Sequence, residues 1–196
     1  MPIYKSLADP KLVASIKDGA IGVLPTDTIY GVVAAASDEA AVAKLYQLKS
    51  RHAKPGTIIA ASIDQLVELG IPRRYLKAVE QFWPGNISIE TPHDIIYLHQ
   101  GTGRQAFRVV TDGPVKDLLK KVGPLVTSSA NQPGEPPAVT LQQAKKYFGD
   151  DVDFYVEGGN LSDRQPSTII RVIDDAVQVV REGSVKIDEA SGTIIS

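Results

Sequence analysis

The sequence predicts an α/β fold built on a mixed sheet, in which some neighbouring strands are parallel and others antiparallel. Helical and strand-like patterns interleave along the chain, and several strands follow one another too closely for a crossover helix to separate them. A length of 196 residues suits one substantial domain or two very small ones. No repeat, low-complexity segment or change in composition marks a linker, so we expect one domain over residues 1–196.

The first part of the chain alternates between helical and extended patterns. Leu12, Val13 and Ile16 share one face of the first predicted helix. Ser37 is the predicted N-cap of the second helix, because its hydroxyl can accept hydrogen bonds from the first turn, where acidic residues suit the helix dipole. The predicted helices are 7–18, 38–49, 64–69 and 74–82, and the predicted strands are 20–24 and 57–61.

The middle and the C-terminal third are richer in strands. Segments with many β-branched and aromatic residues favour extended backbone. The predicted strands are 86–91, 94–99, 106–110, 124–127, 153–156, 167–173 and 177–181. Two further helices are predicted over 115–121 and 141–148.

Composition excludes several classes of protein. The net charge of −2 gives the molecule no overall signature of a nucleic-acid binder, although it leaves room for a local basic groove. No apolar run approaches the roughly 20 residues that span a bilayer, and the N-terminus lacks an apolar signal core. Without cysteine, the chain has no disulfide, thiolate nucleophile or zinc–sulfur site. We therefore expect a soluble, cytoplasmic domain.

Two local patterns do not support a site. Residues 101–106, Gly-Thr-Gly-Arg-Gln-Ala, formally resemble a dinucleotide-binding fingerprint, but they run into a predicted strand instead of opening a helix. His93 and His99 lie singly beside predicted strand ends, which is typical of surface or packed histidines. These residues therefore do not predict a dinucleotide or metal site.

Four polar clusters at the ends of predicted elements carry more information. Taken singly, each could be a helix cap or a turn. Together they predict a site for a nucleoside triphosphate and a small polar substrate, because strand ends converge on a crevice, basic side chains bind polyphosphate, and hydroxyls and amides fix orientation. No histidine–hydroxyl dyad accompanies them, which disfavours covalent acyl chemistry. The clusters are 26–30, 49–55, 127–131, and 165–168 with 181–183.

The same segments resemble the YrdC/TsaC-type threonylcarbamoyl-AMP synthase family. Any one of the motifs is weak, but they occur in family order and cover about residues 10–187. The matching motifs are Pro-Thr-Asp-Thr-Ile-Tyr-Gly (25–31), Lys-x-Arg (49–51) with Lys-Pro (54–55), Trp-Pro-Gly (83–85), Phe-Arg-Val (107–109), Thr-Ser-Ser-Ala-Asn (127–131), Pro-Ser-Thr-Ile-Ile (166–170) and Arg-Glu-Gly (181–183).

The resemblance implies a twisted mixed sheet flanked by helices, with a concave basic groove. It also implies a reaction in which ATP, L-threonine and bicarbonate give L-threonylcarbamoyl-adenylate and pyrophosphate. The adenylate donates the N6-threonylcarbamoyl group of adenosine 37 in tRNA. Mg²⁺ is expected on the triphosphate, held mostly by phosphates and water, so that neither a protein metal ligand nor a tightly bound prosthetic group is expected. Contact with tRNA or double-stranded RNA, and a functional link to the tRNA threonylcarbamoyl-transfer machinery, are further expectations.

Individual residues also receive implied roles. Asp27 is interpreted as structural rather than catalytic, because an anion there would oppose a carboxylate substrate unless it faced the amine or hydroxyl. The implied catalytic residues are Lys49 and Arg51, and we expect both near solvent in the groove. The implied ATP contacts are Lys49, Arg51, Ser129, Asn131 and Arg181. The implied threonine contacts are Thr28 as first choice, Thr26 as second, and Lys54, Arg108 and Ser167.

The chain departs from the family pattern in its loops more than in its charges. The departures are Val32 to Ala34, Gly56, Asn86 to Ser88, and Val110. One alternative is an RNA- or nucleotide-binding module of the same fold without this activity. Another is a related carbamoyl-adenylate enzyme within a larger maturation protein, which the single-domain length disfavours. Because the chain ends at Ser196, no C-terminal extension domain is expected.

Overall fold

The structure, a computed structural model, describes residues 1–50, 52–174 and 176–195. The strands are β1 Ile3–Tyr4, β2 Gly22–Pro25, β3 Tyr30–Ala35, β4 Thr57–Ala60, β5 Ile87–Pro92, β6 Arg104–Val109, β7 Leu125–Ser129, β8 Phe154–Val156, β9 Thr168–Ile173, β10 Ala176–Arg181, β11 Lys186–Asp188 and β12 Thr193–Ile195. The helices are α1 Pro10–Lys17, α2 Glu39–Leu48, α3 Ile63–Glu68, α4 Arg73–Lys77, α5 Ile96–His99, α6 Pro114–Val122 and α7 Leu141–Phe148, with a 3₁₀ turn at Glu80–Phe82.

Ten of these strands form one sheet in the order β1-β8-β2-β3-β7-β4-β6-β5-β9-β10, and β11 pairs with β12 in a separate hairpin. Parallel pairs are β1 with β8, β8 with β2, β4 with β6, and β5 with β9. The remaining pairs in the large sheet are antiparallel. The predicted α/β class with a mixed sheet is therefore confirmed.

Helices cover both faces of this sheet. On the first face, α2, α3, α4, α5 and α7 pack in one apolar core with strand residues such as Val32 and Phe107. On the second face, α1 and α6 pack in another core against Val33 and Ile59. Successive side chains of a strand point to opposite faces, so the six residues of β3 are all buried between the two layers.

The helix starts follow capping chemistry. In α2 the N-cap is Asp38, whose carboxylate accepts a hydrogen bond from the backbone N–H of Ala41 (3.0 Å). The prediction that Ser37 caps this helix is therefore wrong by one residue, because the extended backbone that a cap requires is that of Asp38. In α1, Asp9 caps in the same way and Pro10 takes the first helical position.

The segment 94–99 was predicted as a strand and this prediction is wrong. Its second half forms the short helix α5, with Leu98 and His99 buried. A short apolar run has no clear period, so tertiary packing decides its conformation. Strands β1, β3, β11 and β12 are not among those that the sequence predicts, and in the Gly- and Ala-containing β3 the intrinsic strand preference is weak.

The described residues contain no helix that is both long and apolar enough to cross a membrane.

His93 and His99 are packed inside the protein, which agrees with their interpretation as surface or packed residues. Each is 4% exposed, and their rings meet edge to face with centroids 4.8 Å apart. Nδ1 of His99 accepts hydrogen bonds from the backbone N–H groups of Gly101 (3.0 Å) and Gly103 (3.1 Å). Burial, together with the neighbouring His99, lowers the pKa of His93 from 6.5 to about 4, although Gln105 and Asp94 oppose this change.

We predict that His93 makes the folded state less stable as the pH falls from 6.5 to about 4. The unfolded chain binds the proton near the ordinary pKa of 6.5, whereas the folded chain binds it only near 4. Acid therefore favours unfolding across this window, by up to about 3 kcal/mol. Urea unfolding across the window should show a shallower pH dependence for His93→Gln than for the wild type. His52→Gln, which removes an exposed imidazole, is the control, and an unchanged slope in His93→Gln would contradict the prediction.

Candidate active site

A cavity of about 610 Å³ lies on the second face of the sheet, beyond the part that α1 and α6 cover. Along this face, strands change from apolar to polar or small residues. In β7 the change runs from Leu125 in the core to Ser129 at the cavity, and in β4 from Ile59 to Thr57. Seven of the predicted site residues line the cavity: Thr26, Thr28, Lys54, Arg108, Ser129, Ser167 and Arg181.

The described part of the lining is rich in basic side chains. Its only acidic member there is Glu90, which accepts hydrogen bonds from Nε (2.8 Å) and Nη2 of Arg171. Arg104 and Arg171 were not predicted as site residues. The alternation of strand side chains could have indicated them, since Arg104 shares a strand face with Arg108, and Arg171 lies on the same side of the predicted strand 167–173 as Ser167. The basic members are Lys54, Arg104, Arg108, Arg171 and Arg181.

In the Pro-Thr-Asp-Thr turn the hydroxyls of the two threonines differ in how much hydrogen-bonding capacity remains for a ligand. Oγ1 of Thr26 donates to the carbonyl oxygen of Ile29 (2.6 Å) and accepts from the backbone N–H groups of Thr28 and Ile29 (3.2 Å each). The turn therefore occupies the hydroxyl of Thr26. Oγ1 of Thr28 has one hydrogen-bond partner among the described residues, Oγ1 of Thr26 at 3.1 Å. Thr28 is thus better placed to bind a ligand.

Asp27 and Arg108 form a buried ion pair, of which Arg108 lines the cavity. The Arg108 side chain is 3% exposed and that of Asp27 is 8% exposed. Nη2 and Nε of Arg108 donate to the two carboxylate oxygens of Asp27 at 2.7 and 3.0 Å, and Nη1 donates to Oγ of Ser88 at 3.0 Å. This geometry supports the structural interpretation of Asp27. A guanidinium has five N–H donors, so two remain for a ligand.

Lys49 joins the Lys-x-Arg motif (49–51) to the Thr-Ser-Ser-Ala-Asn motif (127–131) through direct hydrogen bonds. Its ammonium donates to the carbonyl oxygen of Ser129 (2.8 Å), to Oδ1 of Asn131 (3.1 Å) and to the carbonyl oxygen of Asn131. Oγ of Ser129 also donates to Oδ1 of Asn131 (2.7 Å). The lysine, the serine and the amide therefore form one cluster at the end of β7.

The expectation that Lys49 lies near solvent is wrong. The residue is 5% exposed and is not part of the cavity lining, and neither is Asn131. Because α2 ends at Leu48, the next side chain lies beneath the end of β7, where carbonyl oxygens take the place of water. Arg51, the other predicted catalytic residue, lies outside the described residues.

Arg181 and Ser167 meet at the opposite wall. Nη2 of Arg181 donates to the carbonyl oxygen (2.6 Å) and to Oγ (3.2 Å) of Ser167. Gly183 allows this approach, since a Cβ there would lie 2.3 Å from the carbonyl oxygen of Pro166. The Arg-Glu-Gly and Pro-Ser-Thr motifs are therefore packed backbone to backbone.

Tyr30 fixes residues 158 and 159 beside the cavity. Its hydroxyl donates to the carbonyl oxygen of Gly159 (3.0 Å) and accepts from the N–H of Gly158 (2.8 Å). Burial raises the pKa of Tyr30 above 10.0, so the hydroxyl keeps its proton at neutral pH. In the described parts of the chain, no group of three or more His, Cys, Asp or Glu side chains could hold a metal ion.

We predict that Asp27→Ala lowers the free energy of unfolding by about 3 to 5 kcal/mol, because it leaves the buried Arg108 guanidinium without its counter-ion. The matched control is Asp64→Ala, which breaks an ion pair with Arg73 whose side chains are 70% and 58% exposed. That change should cost less than about 1 kcal/mol. Urea unfolding of both variants measures the two values, and equal losses would contradict the prediction.

Comparison with known proteins places the chain in a family. The Sua5/YciO/YrdC family model, described as "Telomere recombination", matches residues 14–183. A threonylcarbamoyl-AMP synthase of Pseudomonas syringae pv. syringae is 34% identical over 175 residues, which are 86% of this chain and 93% of that protein.

Two solved structures share the fold. Sua5 of P. abyssi, solved as a complex with L-threonine, superposes with a TM-score of 0.83 at 24% identity over 97% of this chain, which spans 60% of the length of Sua5. E. coli YciO superposes with a TM-score of 0.78 at 20% identity, over 93% of this chain and 96% of YciO. These two structures share the fold, and the family model and the Pseudomonas relative show that the chain belongs to the Sua5/YciO/YrdC family.

Proposed function

We propose that this chain is an L-threonylcarbamoyladenylate synthase, a nucleotidyltransferase that converts ATP, L-threonine and bicarbonate to L-threonylcarbamoyl-adenylate and pyrophosphate. The observation that carries the proposal is a single cavity in which basic side chains for a polyphosphate stand beside hydroxyls and an arginine for a small amino acid. Its volume, about 610 Å³, suits a nucleotide with a small second substrate. The name of the Pseudomonas relative supports the same activity.

The reaction has two steps in this proposal. The amine of threonine attacks bicarbonate, a C–N bond forms, and water leaves to give a carbamate. An oxygen of the carbamate then attacks the α-phosphorus of ATP, and the bond to pyrophosphate breaks. The protein supplies no covalent intermediate, so its contribution is to hold the two anions in line and to stabilise the charge that develops on pyrophosphate.

The phosphates are assigned to the cluster at β7 and, on the opposite wall, to Arg181, which adjoins the threonine site through Ser167. Ser129 and Arg181 line the cavity, and Asn131 is held beside Ser129 by the buried ammonium of Lys49. In this arrangement Lys49 orients Ser129 and Asn131 toward the nucleotide and adds positive charge close to it. Arg51 is proposed as the second catalytic cation on the triphosphate, where a planar guanidinium can bind two oxygens.

The threonine end is assigned to Thr28, Ser167 and Arg108, with Lys54 at its rim and Thr26 as support. Because the hydroxyl of Thr26 donates to Ile29, the hydroxyl of Thr28 donates to Thr26 and keeps its acceptor capacity for a ligand. Arg108 keeps two N–H donors, which suit a carboxylate. Residues of both sets line the same cavity.

Mg²⁺ is proposed as part of the ATP substrate, where it neutralises charge on the phosphates while phosphates and water supply its ligands. The donor set of the cavity, which is mostly basic and hydroxyl-bearing, suits the phosphates better than the metal. No protein ligand and no prosthetic group is assigned.

The product is proposed to serve formation of N6-threonylcarbamoyladenosine at position 37 of tRNA, in the cytoplasm, through the tRNA threonylcarbamoyl-transfer machinery. Direct contact of this chain with tRNA or double-stranded RNA stays a prediction. The alternative of a binding module without this activity is not favoured, because the relative of 34% identity is named a synthase.

The proposal predicts product formation that requires both threonine and bicarbonate. The purified protein is incubated with ATP, Mg²⁺, bicarbonate and each amino acid in turn, and pyrophosphate release and the mass of the adenylate are followed. Lys49→Ala and Arg51→Ala should each lower kcat/KM at least about 100-fold, because each removes a cation near the developing charge. Lys120→Ala is the control. It removes a lysine whose side chain is 58% exposed and lies in a surface ion pair, and it should leave kcat/KM near that of the wild type.

A wild-type protein that gives no threonine- and bicarbonate-dependent product would refute the proposed function. Activity that survives both site changes would refute the residue assignment instead. Because Lys49 is buried, thermal unfolding of each variant separates loss of catalysis from loss of fold.

A further inference from the structure

Ser88 on β5 lies between two of the arginines that line the cavity, Arg108 and Arg181, yet it does not line the cavity itself. It is 0% exposed. Its Oγ accepts a hydrogen bond from Nη1 of Arg108 (3.0 Å) and lies 2.8 Å from Oγ of Ser167. Oγ of Ser167 in turn accepts from Nη2 of Arg181 (3.2 Å). A continuous chain of hydrogen bonds therefore runs from Asp27 through Ser88 to Arg181.

The direction of the bond between the two serines follows from counting hydrogens. A hydroxyl has one hydrogen to donate, and a guanidinium can only donate. If Ser167 donated to Ser88, the hydrogen of the fully buried Ser88 hydroxyl would have no acceptor among the described residues, at the cost of an unsatisfied buried donor. Ser88 therefore donates to Ser167.

This direction leaves the hydroxyl hydrogen of Ser167 without an acceptor in the described part of the chain. Ser167 lines the cavity, so its hydrogen is available to a ligand there. Two N–H groups of Arg108 are also left over. The wall thus presents donors in excess of acceptors, which suits an anionic group such as a carboxylate.

We propose that Ser88 is a positioning residue for the substrate, which orients the hydroxyl of Ser167 as a donor toward the carboxylate of L-threonine. It does so by accepting from Arg108 and donating to Ser167. The role rests on the proposed function, because the carboxylate is that of the threonine substrate. Loss of the Ser88 hydroxyl frees Ser167 to turn its hydrogen elsewhere and removes one of the contacts that fix Arg108.

The test compares three variants by titration calorimetry with L-threonine and with L-threoninamide, which lacks the carboxylate charge, with and without a non-hydrolysable ATP analogue. Ser88→Ala should weaken binding of L-threonine at least about tenfold, as expected for loss of hydrogen bonds to a charged group. Its preference for L-threonine over L-threoninamide should fall by a similar factor. Ser88→Thr keeps the hydroxyl and should retain both properties.

The matched control is Thr91→Val, which removes a hydroxyl from a buried residue of the same strand whose side chain points to the opposite face. Its binding of both ligands should stay near that of the wild type, and thermal unfolding checks that every variant is folded.

Unchanged affinity in Ser88→Ala, or an equal loss in Thr91→Val or Ser88→Thr, would overturn the inference, and so would a wild-type protein that binds no L-threonine. Threonine binding by the wild type without product would refute the proposed function alone, since the comparison of variants needs only binding.

Discussion

The candidate site depends on one buried ion pair, between Asp27 in the turn after β2 and Arg108 in β6. Three other strands lie between β2 and β6 in the sheet, so the pair joins distant parts of the chain. Two buried charges are tolerated because the carboxylate accepts two hydrogen bonds from the guanidinium and Ser88 accepts a third. The pair thereby fixes both the Pro-Thr-Asp-Thr turn and the arginine that faces the cavity.

The sheet explains why a polar site can stand beside a large apolar core. On its second face, the strand residues under α1 and α6 are apolar, whereas the residues beyond these helices are hydroxyl-bearing, basic or small. Neighbouring strands make this change at the same level, so their polar ends meet in one cavity. The cluster of Lys49 with Ser129 and Asn131 closes one side, and the contact of Arg181 with Ser167 closes another.

Much of this arrangement could be predicted from the sequence, because strongly patterned helices, strands and motif residues carry local signals. The predictions fail where two neighbouring residues carry equal local signals, or where strand pairing in the sheet determines which residues meet. Ser37 and Asp38 can both cap a helix, and only the backbone conformation selects the second. Glu90 and Arg171 meet through the parallel register of β5 and β9, which the sequence does not reveal. The burial of Lys49 depends on the carbonyl groups of Ser129 and Asn131, which lie 80 and 82 positions away along the chain.

The central claim is that the Asp27–Arg108 pair stays intact and holds an amino-acid substrate beside the nucleotide in one cavity. A crystal structure with L-threonine and a non-hydrolysable ATP analogue measures this most directly. We predict that the threonine carboxylate lies within hydrogen-bond distance of Ser167 and Arg108, with the triphosphate near Ser129 and Arg181 and the ion pair unbroken. Threonine bound outside the cavity, or an Arg108 that leaves Asp27 to reach it, would contradict the claim.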